Sequence, residues 1–297
     1  MYKNLNPASL GVTGRQSELI ELALTHGFRG LDCDAAELLK RAALQGVQEA
    51  AKYVSSGKIK VGGWTLPIRL TGDKEAFRVE LEKLAGLADI ARQIGISHCL
   101  VTLEPASDSS PYHENFELHR ERLGAAADLL ARSEIRLGVG FKAAAEFRKD
   151  RTFQFIHLAE EALTLIRTTG SSNLGIALDT WDWKVGGGAS DQLAELSGKQ
   201  VVCVKIADLP AGADIASIDA TQRLLPSDET TPEHAALLKA LAKSGFDGPV
   251  TLEPHPSQVP GANRDVTVER CAAVLERILI AAGLSKTGKL TPAAGEA

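Results

Sequence analysis

Aromatic side chains are scarce in this chain, at 5% of 297 residues, and methionine occurs once. Alanine, leucine and glycine are abundant instead, which favours helices packed closely on strands. Only four cysteines occur, Cys33, Cys99, Cys203 and Cys271. None forms a C-x-x-C pair, which argues against a disulfide scaffold or a thiolate zinc site and for free thiols in a reducing compartment. No long basic run appears, and the formal charge is -5. Binding to nucleic acid through phosphate neutralisation is therefore not expected. No apolar run approaches the ~20 residues that span a membrane. The opening Met1-Tyr-Lys-Asn-Leu-Asn lacks a signal-peptide apolar core, so a cytoplasmic location is expected. Gly62-Gly63 opens no G-x-G-x-x-G phosphate cradle.

What is present is alternation. Short apolar runs at about 3–10, 28–34, 58–66, 97–104, 136–142, 174–180, 200–206 and 249–254 read as eight strands. Helical patterns follow near 16–26, 36–54, 74–94, 114–133, 153–169, 232–244 and 265–282, with a short one near 190–196. Strands alternating with helices imply parallel pairing and right-handed crossovers. Eight such units in this length predict an α/β fold, a single closed (β/α)8 barrel over residues 1–284. Residues 285–297 are polar and read as a flexible tail. The stretch from Asp208 to Thr231 is a long loop beyond a strand, suited to a lid or a substrate contact.

Barrel chemistry resides at the carboxyl ends of the strands. Three runs end on charge: Asn173-Leu-Gly-Ile-Ala-Leu-Asp179, Gln200-Val-Val-Cys-Val-Lys205 and Pro249-Val-Thr-Leu-Glu253. Two carboxylates would suit a divalent cation, but a lysine stands between them.

These motifs resemble the xylose isomerase-like TIM barrel superfamily of sugar isomerases, epimerases and dehydratases. Gly27-Phe-Arg-Gly-Leu-Asp32 is similar to its second strand, and Leu174 to Asp182 to its sixth. Val204-Lys-Ile-Ala-Asp208 is similar to the seventh, Arg223-Leu-Leu-Pro226 to a loop reading Arg-x-x-Pro, and Gly245 to Glu253 to the eighth. The resemblance implies one Mn, Mg, Co or Zn ion held by a strand-five Glu, a strand-six Asp, a strand-seven His and a strand-eight Glu. Only Asp179 and Glu253 match. Gly140 stands at the strand-five position, Lys205 replaces the His, and Asp182 replaces a second His after strand six. Glycine offers no donor, and a lysine beside carboxylates holds its proton. The expectation is no cofactor and no metal; a site rebuilt from Asp179 and Glu253 with Asp182, Asp32 or Glu104 is the alternative.

The resemblance implies a sugar, sugar-phosphate or polyol isomerase or epimerase moving a proton beside a carbonyl. Lys205 then supplies the positive charge, with Glu253 or Asp179 as base. The bland reading makes all three a structural ion-pair group. Arg223 could clamp an anion. Lys142 is a contact for an anionic substrate or a solvated lysine. Trp64 and Trp181 either stack on a sugar ring or roof the barrel. Asp32 and Glu104 face the mouth or cap local backbone. Asp182 joins this substrate-facing set, and His255 is an acid-base candidate or an incidental loop residue. The rival class is an inactive sugar-binding or scaffold barrel. A nuclease of the same fold needs a multi-His zinc cluster, which seven scattered histidines do not supply. The expected partner is a small polyhydroxylated substrate, with family analogy pointing to a homo-oligomer.

Overall fold

The computed structural model describes residues 1–55, 57–259, 261 and 263–291. The main-sheet strands are β1 (Tyr2–Leu5), β2 (Gly30–Leu31), β3 (Lys60–Val61), β4 (Trp64–Thr65) and β5 (His98–Leu103). They continue, past a short β6 (Ala106–Ser107), with β7 (Arg136–Phe141), and, past β8 (Phe153–Gln154), with β9 (Leu174–Asp179), β10 (Val201–Ile206) and β11 (Pro249–Leu252). Their order is β3-β2-β1-β11-β10-β9-β7-β5-β4, and every pairing is parallel. The two ends of that order, β3 and β4, are separated only by Gly62-Gly63. They are halves of one barrel stave, so nine pieces make the eight strands of a closed barrel. The separate β6 and β8 pair antiparallel as a small ribbon.

Helices ring the sheet: α1 (Gln16–Thr25), α2 (Ala35–Gln45), α3 (Val47–Ser55), α4 (Lys74–Ile94), α5 (Tyr112–Arg132), α6 (Ala159–Thr168), α7 (Thr180–Val185), α8 (Ser190–Glu195), α9 (Thr231–Lys243) and α10 (Arg264–Ala281). Strand side chains alternate between the barrel interior and this ring. Val139, Ile176, Leu178, Val204, Ile206 and Val250 are buried together with Leu84, Leu123, Leu165, Leu238, Leu275 and Ile278 from the helices. This apolar layer is the main core. None of the described helices is long and apolar enough to cross a membrane.

Four boundaries differ from the sequence reading, each for a local reason. The first strand stops at Leu5 because Pro7 opens a 3-10 turn, Ala8–Leu10, closed by left-handed Gly11. The pattern over 36–54 is two helices, broken where Gly46 takes φ 93°. The segment from 153 begins as β8, and α6 starts only at Ala159, where the Glu161 carboxylate accepts from the His157 and Leu158 amides. Lastly, α7 starts directly after β9, because Asp179 caps it. The last described residues turn back on the barrel, with the Thr291 amide donating to the Gly283 carbonyl at 3.0 Å. Residues 292–297 of the expected tail lie outside the described residues.

Candidate functional site

A cavity of about 240 Å³ opens at the carboxyl ends of the strands. The period-two alternation sends Thr102, Gly140, Ala177, Asp179, Lys205 and Glu253 into it from five strands or their ends. Leu100, Val101, Phe141, Lys142, Phe147, Trp181, Asp182, Ala220 and Arg223 complete the wall. The predicted residues Asp179, Asp182, Lys205, Glu253, Arg223, Lys142 and Trp181 thus converge.

Arg223 organises one side. Its Nη1 donates to Asp182 Oδ2 at 3.0 Å, its Nη2 donates to Asp179 Oδ2, and its Nε donates to the Glu253 carbonyl at 3.0 Å. The guanidinium also lies over the Trp181 ring, 4.9 Å from its centroid. Asp179 spends its other oxygen on the Trp181 and Asp182 amides at 3.0 and 3.1 Å. Asp182 Oδ1 accepts from the Ala143 amide at 2.9 Å. Burial, then the neighbouring Asp179 charge, push the Asp182 carboxyl above the usual range. Burial opposes the Arg223 charge, but Asp179 and Asp182 outweigh it and hold its proton more firmly than usual. Both carboxylates are therefore committed to the arginine and to backbone amides.

Lys205 and Glu253 form the other side. The Lys205 ammonium lies 3.4 Å from Glu253 Oε1, with side chains 29% and 13% exposed. Among the described residues this is its one ion pair, and it makes no hydrogen bond. The Glu253 charge raises the lysine well above its ordinary value despite burial. The ammonium is therefore a permanent cation, and a Schiff base through a neutral amine is disfavoured. Glu253 Oε1 also accepts from Asn6 at 2.9 Å, leaving Oε2 open.

Asp32, Trp64, Glu104 and His255 lie outside the cavity lining. Asp32 accepts from Asn4 Nδ2 at 2.8 Å. Burial, then the Glu253 charge, raise its carboxyl to about 6. Gly62 permits this approach, since a Cβ there would stand 2.2 Å from both Asn4 Oδ1 and Asp32 Oδ1. Trp64 is 3% exposed within the core. Glu104 holds Lys142 at 2.7 Å. His255 caps a 3-10 turn, its Nδ1 2.7 Å from the Ser257 hydroxyl. Sequence reasoning missed Thr102 and Phe147. Thr102 was accessible through its period-two relation to Leu100 and Glu104, whereas Phe147 comes from a loop turn with no periodic signal.

These residues do not supply the metal ligands that the resemblance implies. Gly140 has no donor, Lys205 is held protonated by Glu253, and both oxygens of Asp179 are engaged, by Arg223 and by two amides. Among the described residues no three His, Cys, Asp or Glu side chains converge as a metal-holding group. The donor set does not fit the ion.

A sequence model of the xylose isomerase-like TIM barrel family matches residues 20–277, and the chain belongs to that family. Its fold is similar to a xylose isomerase domain protein from Alicyclobacillus acidocaldarius, with TM-score 0.82, 22% identity and coverage of 94% of this chain and 98% of that one. It is also similar to the IOLI protein with a bound zinc atom, with TM-score 0.72, 17% identity and coverage of 95% and 98%. D-psicose 3-epimerase from Clostridium cellulolyticum, solved with D-tagatose, gives TM-score 0.72 and 14% identity over 95% and 99%. At these identities the likeness defines the fold. No match was found among curated proteins.

Proposed function

We propose that the protein is a metal-free sugar isomerase or epimerase in which Lys205 takes the place of the divalent ion. The observation that carries this is a partly buried ammonium facing the cavity, 3.4 Å from a carboxylate that keeps one oxygen open. Family membership and the epimerase among the similar structures supply the substrate class, a small polyhydroxylated carbonyl compound. Glu253 removes a proton from the carbon beside the substrate carbonyl. Electron density moves onto the carbonyl oxygen, and the Lys205 ammonium stabilises the resulting enediolate. Returning the proton to the neighbouring carbon, while the proton of the adjacent hydroxyl passes to the former carbonyl oxygen, gives isomerisation; return to the opposite face of the same carbon gives epimerisation and needs a second proton donor. Asp179 is not the base, because both its oxygens are engaged.

The test is proton exchange into ketoses and aldoses incubated in deuterium oxide, read by NMR. Lys205→Met should cut exchange by about 10²–10³-fold, the scale of losing one preorganised oxyanion donor. Circular dichroism checks that the variant is folded. Unchanged exchange in a folded variant would refute the role. A second reading, a barrel that binds without turnover, is favoured by the commitment of Asp179 and Asp182 to Arg223. It predicts saturable binding with no exchange at any ligand carbon.

A further inference from the structure

Polar groups left open around the cavity are unequal in kind. The Lys205 ammonium carries three N–H donors and makes no hydrogen bond among the described residues. On the acceptor side, both oxygens of Asp179 and of Asp182 are already engaged, and Glu253 keeps Oε2. A partly buried cation whose N–H donors make no hydrogen bond selects a ligand that brings an acceptor, most strongly an anion. There is also room where it is needed. A Cβ built on Gly140 would meet nothing closer than 3.6 Å, its nearest neighbours being Thr102 Oγ1 and Ala177. A volume of about 240 Å³ lies below the ~300–1,000 Å³ of drug-sized sites, so the ligand is small.

We propose that the ligand is a small polyhydroxy acid whose own carboxylate fills the space beside Gly140, in the cavity that the Lys205 ammonium faces. The inference rests on the cavity being the reaction site assigned above, and it narrows the substrate from sugars in general to sugar acids. The ligand thereby brings the carboxylate that this barrel lacks at position 140. A phosphate ester fits less well. Its dianion calls for a cradle of backbone N–H groups, and the first amides of α7 are already taken by Asp179. Lys142, held by Glu104 at 2.7 Å, adds a second cation at the cavity wall.

The experiment is calorimetric titration of the intact protein with matched probes: D-gluconate and D-glucuronate against D-glucose and sorbitol, with D-glucose 6-phosphate as the phosphate arm. An acid should bind at least tenfold more tightly than its neutral counterpart and than the phosphate. Gly140→Glu, which puts a protein carboxylate into the same space, should weaken acid binding at least tenfold, and by more than it weakens neutral sugars. Equal binding of acid and neutral probes, tighter binding of the phosphate, no binding of either acid, or acid affinity untouched by Gly140→Glu would each overturn the proposal. Deuterium exchange on the same probes separates it from the isomerase reading. D-glucuronate, the acid that carries a carbonyl, refutes only the chemistry if it binds tightly without exchange; D-glucose that exchanges while both acids fail to bind refutes only the sugar-acid assignment.

Discussion

Replacing Asp32 by Asn should stabilise the protein at neutral pH and leave it nearly unchanged in acid. Asp32 lies against Asn4 and Gly62, and its carboxyl is raised from 3.8 to about 6. An acid whose folded value is raised binds its proton more tightly in the native state. Its stabilising contribution is complete below pH 3.8 and is lost as pH rises through about 6. At ~1.4 kcal/mol per pH unit, the ionised carboxylate costs about 3 kcal/mol at pH 7.5. Asparagine removes the charge and keeps an oxygen for the Asn4 amide. With an unfolding entropy of ~2.1 cal/mol/K per residue, the variant should melt about 5 °C higher than the parent at pH 7.5. At pH 4 the two should agree within about 1 °C. The assay is paired thermal melts by circular dichroism across pH 4 to 8, reading only the difference between variant and parent. A difference that does not change with pH, or a parent more stable than the variant at pH 7.5, would refute the reasoning.

Arg223→Met leaves Asp179 and Asp182 facing each other without their cation and should cost about 3–5 kcal/mol, the scale for breaking a buried ion pair; a lowered Tm, with faster proteolysis between Asp208 and Thr231, is the measurement. The same variant should lose most of that penalty below pH 5, because the Asp182 carboxyl is already biased toward its protonated form. The double variant Gly140→Glu, Lys205→His should acquire divalent-ion binding that the parent does not have, read by calorimetry with Mn²⁺ and Zn²⁺, since a Cβ at 140 meets no atom closer than 3.6 Å. Gly62→Ala should destabilise by about 1–3 kcal/mol or more, because its methyl would overlap Asn4 and Asp32; a Tm equal to the parent would contradict the tight packing there.

The barrel was legible because each strand is an apolar run ended by a polar residue, and the runs recur eight times. Asp179, Lys205 and Glu253 could be placed at the mouth from that rule alone. What escaped was the partner of Asp179. The reading paired it with Lys205, whereas the structure gives it to Arg223, 44 residues further along in the chain and brought back by the fold of a long loop. No local periodicity encodes that return. The short α7 also escaped, although Asp179-Thr-Trp-Asp182 is an N-cap residue followed three positions later by an acid, a helix-start pattern read instead as a strand end with a metal-site resemblance. Asp32 was expected at the mouth; it follows Leu31 at the end of β2, and its carboxyl accepts from Asn4 without lining the cavity.

The divided third stave makes the barrel wall unequal around its circumference. β5 and β7 are laced over six residue pairs, whereas β2–β3 and β4–β5 are each laced over two. Backbone amides around residues 60–65 therefore have fewer mutual protections to lose, and solvent exchange should reach them sooner than those of β7. The stiff arc carries Gly140, Asp179 and Lys205, and the soft arc carries Asn4, Asp32 and Gly62. A ligand larger than the resting cavity would be accommodated by breathing of the soft arc, with the charged wall opposite staying fixed as the template against which it is measured.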